Sequence, residues 1–156
     1  MENILKKGNI MKLLILNGPN INLLGVREPE IYGKENYSTL QKKIQEHANR
    51  RGIKVRIVQT NHEGVMVDEI QNTYHKYQGI VLNPAAYTHT SVALLDALKA
   101  VGTPTVEVHI SDVSKREDFR QISYVRAACI ATISGHGTDG YLEAMDLLID
   151  RAGEKK

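Results

Sequence analysis

The sequence predicts an α/β fold, a three-layer sandwich around a five-stranded parallel sheet, and three observations carry that prediction. Short apolar, β-branched runs recur along the chain, each run ends in polar residues, and helical patterns fill most of the gaps between them. Strands that alternate with helices in this way form right-handed βαβ units, whose helices cover both faces of a parallel sheet.

The strands are expected at Lys12 to Asn17, Lys54 to Thr60, Gly79 to Asn83, Thr105 to Ile110 and Ala128 to Ser134. Leu-Leu-Ile-Leu in the first and Ile-Val-Leu in the third are solidly apolar, the pattern of strands buried on both faces. Lys54-Val-Arg-Ile-Val-Gln alternates polar with apolar residues and so belongs at an edge. The strand order 2-1-3-4-5 follows, which is flavodoxin-like. Helices are expected over Ser38 to Arg51, with Leu40, Ile44, His47 and Ala48 on one side and Gly52 as the stop, and over Ser91 to Val101, closed by Gly102 and Pro104. Gly64 to Tyr77 and Gly140 to Ala152 are two more, and a shorter helix is expected within Glu117 to Arg126.

At 156 residues the chain corresponds to one domain, large enough to bury roughly 68 to 70% of its unfolded surface without disulfide or metal staples. Hydrophobic residues at 42% and charged residues at 24% place it among globular proteins. We expect residues 1–10 to be an extension or an alternative start, 11–152 to be a single catalytic α/β domain, and 153–156 to be a tail. The formal charge of +2 gives no broad basic footprint, which argues against nucleic acid or a membrane surface as the main partner. No apolar stretch reaches 18 residues and the first ten lack a signal-peptide core. With a sole cysteine, Cys129, in an apolar run, a cytoplasmic location is expected.

Polar chemistry collects at one edge of the sheet. In open parallel sheets ligands bind beyond the carboxyl ends of the strands, near the switch point, here between the first and third strands. Strand one ends in Asn17 and Asn20, strand two in Gln59-Thr-Asn-His-Glu63, strand three in Asn83-Pro-Ala-Ala-Tyr-Thr-His-Thr-Ser91, and strand four in Glu107-Val-His-Ile-Ser111. The segment Asn17 to Gly33 is too long for an ordinary connector, which takes about 2 to 6 residues, and reads as an active-site lid or binding loop. It carries Arg27 and Tyr32. Glu107 and His109, two apart on one strand, point to the same face. They form either an internally bonded pair at a strand end or a carboxylate orienting a general acid or base. His89 lies at a helix entrance among Thr88, Thr90 and Ser91, where capping accounts for the hydroxyls but not for the imidazole.

Two other patterns are weaker. Gly135-His-Gly-Thr-Asp-Gly140 has the letters of a dinucleotide fingerprint, but no further strand with an acidic residue follows, so it reads as a tight strand-to-helix turn. Six histidines invite a metal, yet no helical His pair and no thiolate cluster occur, and none is expected. His47 and His75 read as helix-surface residues, His62 as a cap for the second helix, and His136 as part of the turn.

Taken together, LNGPNINLLGVREPEIYG (Leu16 to Gly33), QTNHEG (Gln59 to Gly64), LNPAAYTHTSVALLDAL (Leu82 to Leu98), VEVHISDVSKREDFR (Val106 to Arg120), SYV (Ser123 to Val125) and GHGTDGYLEAM (Gly135 to Met145) resemble the type II 3-dehydroquinate dehydratase family. The likeness runs from Met11 to about Ile149. It implies a flavodoxin-like, metal-free and cofactor-free lyase that converts 3-dehydroquinate to 3-dehydroshikimate in the shikimate route to aromatic compounds, assembled as trimers in a homododecamer. On this sequence the resemblance makes Tyr32 the tyrosinate base, Arg27 its activator, Asn20 a holder of the water that stabilises the enolate, and His109, oriented by Glu107, the acid. Asn83, His89, Arg120, Ile110 and Ser111 would grip the substrate, and Asp96 would reach a neighbouring subunit's site.

The tyrosinate can be weighed physically. Ionising a phenol of pKa about 10 near neutrality takes a shift of roughly 3 units, or about 4 kcal/mol. One guanidinium at about 4 Å supplies about 4 kcal/mol at an effective dielectric near 20. Burial opposes this, and Arg116 is the candidate for a second cation. The plain alternatives are a loop tyrosine packing the lid and a solvated arginine. The chain departs from the family's pattern at Ala85, where glycine is common, at Leu95, where a basic residue is, and at Arg126, where a small residue is. Leu95 and Arg126 are expected to bear on subunit contacts. A flavodoxin-like binding module for a small molecule or nucleotide is the rival reading, but Gly-Pro-Asn after strand one is a poor phosphate cradle because proline has no N–H. A second rival, a lyase or hydrolase, would use the same site on a related polyhydroxylated acid.

Overall fold

Every expected strand is present, and the order is the expected one. The computed structural model describes residues 9–26, 30 and 35–154. Strands β1 (Lys12–Asn17), β2 (Lys54–Gln59), β3 (Gly79–Asn83), β4 (Thr105–His109) and β5 (Ala131–Ser134) form one parallel sheet ordered β2-β1-β3-β4-β5. β1 pairs with β2 from Lys12↔Lys54 and with β3 from Leu13↔Gly79, so both loops after the central strands leave the sheet side by side. Helices α1 (Tyr37–Arg51), α2 (Glu63–Gln71), α3 (Val92–Val101) and α4 (Asp139–Glu154) complete the layers.

The alternation of side chains along β1 divides the core in two. Leu13 and Ile15 face Leu40, Ile44 and Ala48 of α1 and Tyr141, Ala144, Met145 and Leu148 of α4. Leu14 and Leu16 face Met66 and Ile70 of α2 and Leu94, Ala97 and Leu98 of α3. Each face is sealed by two helices, and that burial supplies the stability the short strands lack by themselves.

Boundaries depart from the sequence reading where a side chain competes for a backbone group. Asn36 caps α1: its Oδ1 accepts from Thr39 N at 2.8 Å while Asn36 N donates to Thr39 Oγ1 at 3.0 Å, which starts the helix one residue before Ser38. α2 stops at Gln71 instead of Tyr77, because Thr73 Oγ1 donates to Ile70 O at 2.6 Å and turns follow, with His75 left-handed at φ 58°. His75 is therefore a turn residue and not a helical one. His62 precedes α2 but its side chain makes no capping bond; its backbone N donates to Thr60 Oγ1 at 3.1 Å.

The expected helix within Glu117 to Arg126 is replaced by short 3-10 turns at Asp118–Arg120 and Val125–Ala128, and the second of these delays β5 to Ala131. α4 runs to Glu154, so Gly153 and Glu154 belong to the helix. His47 is not simply a surface residue: its Nε2 donates across to Asp146 Oδ1 of α4 at 2.7 Å. No helix among the described residues is long and apolar enough to cross a membrane.

Candidate active site

Backbone geometry brings the loops after β1 and β3 together first. Gly18 N donates to Asn83 O at 2.8 Å, and a Cβ on Gly18 would lie 2.5 Å from Pro84 O, so only glycine permits this approach. Two residues on, Asn20 adopts a left-handed conformation, φ 70°, held by its N–H donating to Asn61 Oδ1 at 3.1 Å. Gln59 Nε2 donates both to Gly18 O and to Asn61 Oδ1, each at 3.1 Å, and Tyr87 Oη donates to Asn61 O at 2.8 Å. The polar residues ending β2 thus brace the two loops of the switch point.

Below them lies a buried polar relay. Asn83 Nδ2 donates to Tyr141 Oη at 2.8 Å, Tyr141 Oη donates to Asn17 Oδ1 at 2.6 Å, and Asn83 Oδ1 accepts from Ala85 N at 3.1 Å. Tyr141 is fully buried, and burial pushes its phenol far above the usual range. It serves as a neutral strut. The bond from Ala85 N closes a turn in which Ala85 itself is left-handed at φ 52°, and that conformation is the physical reason glycine suits this position.

At the end of β4 the side chains of Glu107 and His109 meet as their spacing requires. His109 Nε2 donates to Glu107 Oε2, which leaves Nδ1 as the ring nitrogen able to exchange a proton with a ligand. Glu107 has no exposed surface and is ringed by donors. Thr88 Oγ1 reaches its Oε2 at 2.8 Å, Ser123 Oγ both oxygens at 3.1 and 2.9 Å, Thr132 Oγ1 its Oε1 at 3.3 Å, and Arg126 Nε its Oε1 at 3.4 Å. Burial pushes the Glu107 carboxyl up, but the bonds from His109, Thr88 and Ser123 outweigh it and bring the value down to about 2. It is an anion at any working pH.

A cleft opens above this pair, beyond the carboxyl ends of β1, β3 and β4. Of the residues predicted from sequence, Asn20, Asn83, His89, His109, Ile110, Ser111 and Arg120 all line it, together with Arg116. Arg116 Nη1 donates to Ser111 Oγ at 3.5 Å, and Arg120 Nε to Glu117 Oε2 at 2.7 Å. His89 Nδ1 donates to Ile122 O at 2.7 Å, so Nε2 of the neutral ring is an acceptor; burial foremost holds its pKa down, against the pull of that carbonyl. The cleft therefore offers guanidinium donors for an anion, hydroxyl and amide groups for alcohols, and one carboxylate-backed imidazole.

Glu107 does not line the cleft but sits behind His109, and Asp96 is an exposed residue of α3 outside it. Arg27 and Tyr32 lie outside the described residues. The sequence reading missed the shell around Glu107: Thr88 was expected among capping hydroxyls, yet Ser91 alone caps α3, accepting from Leu94 N at 3.0 Å, while Thr88 turns to Glu107. Arg126 reaches the same carboxylate from the following turn. Tyr141, within the expected helix Gly140 to Ala152, was not singled out from the sequence. Among the described residues no group of three or more His, Cys, Asp or Glu side chains is placed to hold a metal ion.

A parallel α/β sandwich of order 2-1-3-4-5, with a cationic, carboxylate–histidine cleft at its switch point, defines a flavodoxin-like fold carrying a site fit for acid–base chemistry on a small polar anion. Comparison with known proteins is specific. The family profile described as Dehydroquinase class II matches residues 11–149, and the chain belongs to that family. It is 51% identical over 140 residues to a 3-dehydroquinate dehydratase of Carboxydothermus hydrogenoformans, covering 90% of this chain and 91% of that protein. It is 50% identical over 139 residues to one of Clostridium perfringens, covering 88% and 96%. The crystal structure of a type II dehydroquinase from Butyrivibrio crossotus superposes with a TM-score of 0.88 at 48% identity, over 90% of this chain and 98% of that one.

Proposed function

We propose that this chain dehydrates 3-dehydroquinate to 3-dehydroshikimate, the reaction named for its relatives, as a cytoplasmic enzyme of the shikimate route that needs neither metal nor cofactor. The observation that carries the reading is the buried Glu107–His109 pair facing a cleft with Arg116 and Arg120. The base is Tyr32, ionised under the influence of Arg27, and it removes a proton from the carbon next to the ketone. The electron pair moves into an enolate, stabilised through a water held by Asn20. Collapse of the enolate expels the β-hydroxyl, and His109, oriented by Glu107, gives that hydroxyl a proton, so one water leaves and a conjugated enone remains.

Arg120 and the Ser111 and Ile110 segment suit a carboxylate, and the acceptor nitrogen of His89 and the amide of Asn83 suit hydroxyls. Asp96, exposed on α3, is assigned to the site of a neighbouring subunit in a homododecamer of four trimers. Purified chain given 3-dehydroquinate should generate the ultraviolet absorbance of the enone, undiminished by chelators or borohydride. Tyr32→Phe should lose about 10²- to 10⁴-fold, the usual worth of a general base, while the protein stays folded. Recovery of unchanged substrate, or a Tyr32→Phe chain that turns over normally, rejects the mechanism.

A further inference from the structure

We propose that Arg126 is a positioning residue for the histidine acid: it grips the oxygen of Glu107 opposite the one that binds His109, and so limits how firmly that carboxylate holds the imidazolium. The inference rests on the proposed role of His109 as the acid. Arg126 Nε stands 3.4 Å from Glu107 Oε1, whereas His109 Nε2 bonds Oε2. The guanidinium is delivered by the 3-10 turn Val125–Ala128, which is clamped by fully buried Val125 and by Tyr124 N donating to Thr88 O at 2.9 Å. Thr88 itself bonds the same carboxylate, so turn and dyad share one frame.

The effect is electrostatic and has a definite sign. Two cations on one carboxylate repel each other, so the charge on Arg126 makes the protonated His109 less favourable and a readier donor. Among the described residues, the other charged and titratable groups around the pair are His89 from the turn after β3, Arg116 and Arg120 from the turns after β4, and Cys129 beside Arg126. Burial, then the Glu107 charge, pushes the Cys129 thiol up to about 12, so it stays neutral. Thr132 of β5 does not titrate. Arg116 and Arg120 keep their charge throughout, so removing Arg126 changes one charge only.

Cations on opposite oxygens of a carboxylate lie roughly 6 Å apart, worth about 2 pH units at an effective dielectric near 20. The Arg126 side chain is 51% exposed, and solvent screening brings the expected shift to about 0.3 to 1 unit. The test is a histidine-labelled NMR titration, with His109→Gln identifying the His109 signals. In Arg126→Gln those signals should titrate higher by that amount, in Arg126→Met likewise, and in Arg126→Lys they should stay near the unsubstituted position. The alkaline limb of the kcat–pH profile should move in step. Equal titration in all the variants, or the same shift in Lys as in Gln, overturns the proposal. A shift in the spectra of a chain that leaves 3-dehydroquinate untouched would instead uphold Arg126 and remove the dehydratase reading.

Discussion

Replacing Glu107 by glutamine keeps the shape of the side chain and deletes its charge. In the native chain the carboxyl stands at about 2 against an ordinary 4.5, a difference equivalent to about 3 kcal/mol of stability from the ionised form. A depressed folded value fixes the sign. The contribution is complete above the unfolded pKa, near 4.5, and fades as pH falls towards 2. Glu107→Gln should therefore cost about 3 kcal/mol at pH 7, within the range for breaking a buried charged pair, and only about 1 kcal/mol at pH 3. Urea unfolding of both chains at pH 7, 4 and 3, compared through their midpoints at equal slope, measures the gap. A gap that does not narrow over that range would refute the reasoning, because its origin would then be packing of the amide and not the charge.

Two further substitutions test the geometry around the cleft. Ala85→Gly relieves a left-handed alanine at φ 52° and should stabilise the fold by about 0.5 to 1 kcal/mol, the conformational penalty being partly offset by glycine's greater freedom when unfolded; an unchanged or lower denaturation midpoint would contradict it. Tyr141→Phe removes the hydroxyl that joins Asn83 to Asn17 and should cost about 1 to 3 kcal/mol in denaturant unfolding, since two buried amide groups lose a partner; a neutral result would mean they re-pair with each other.

Much of this molecule was legible in its sequence because the signals are local. The solid runs of β1 and β3 against the alternating β2 indicate which strand is at the edge, a consequence of burial on both faces versus one. Gly52 and Gly102 mark helix ends at left-handed backbone, both with φ 67°. Glu107 and His109 announce a shared face by spacing alone. Less legible were the 3-10 turns around Arg120 and Arg126, where the polar pattern of a short helix is the same as that of a turn pinned from outside.

The sequence alone determined the layer architecture, the strand order and the collection of amide and imidazole groups at the carboxyl edge of the sheet, because hydrophobic periodicity and chain direction are properties of consecutive residues. The company of Glu107 was decided only by the tertiary structure. Thr88, Ser123, Arg126 and Thr132 come from three segments separated along the chain, and a buried carboxylate draws its donors from whatever the folded layers press against it.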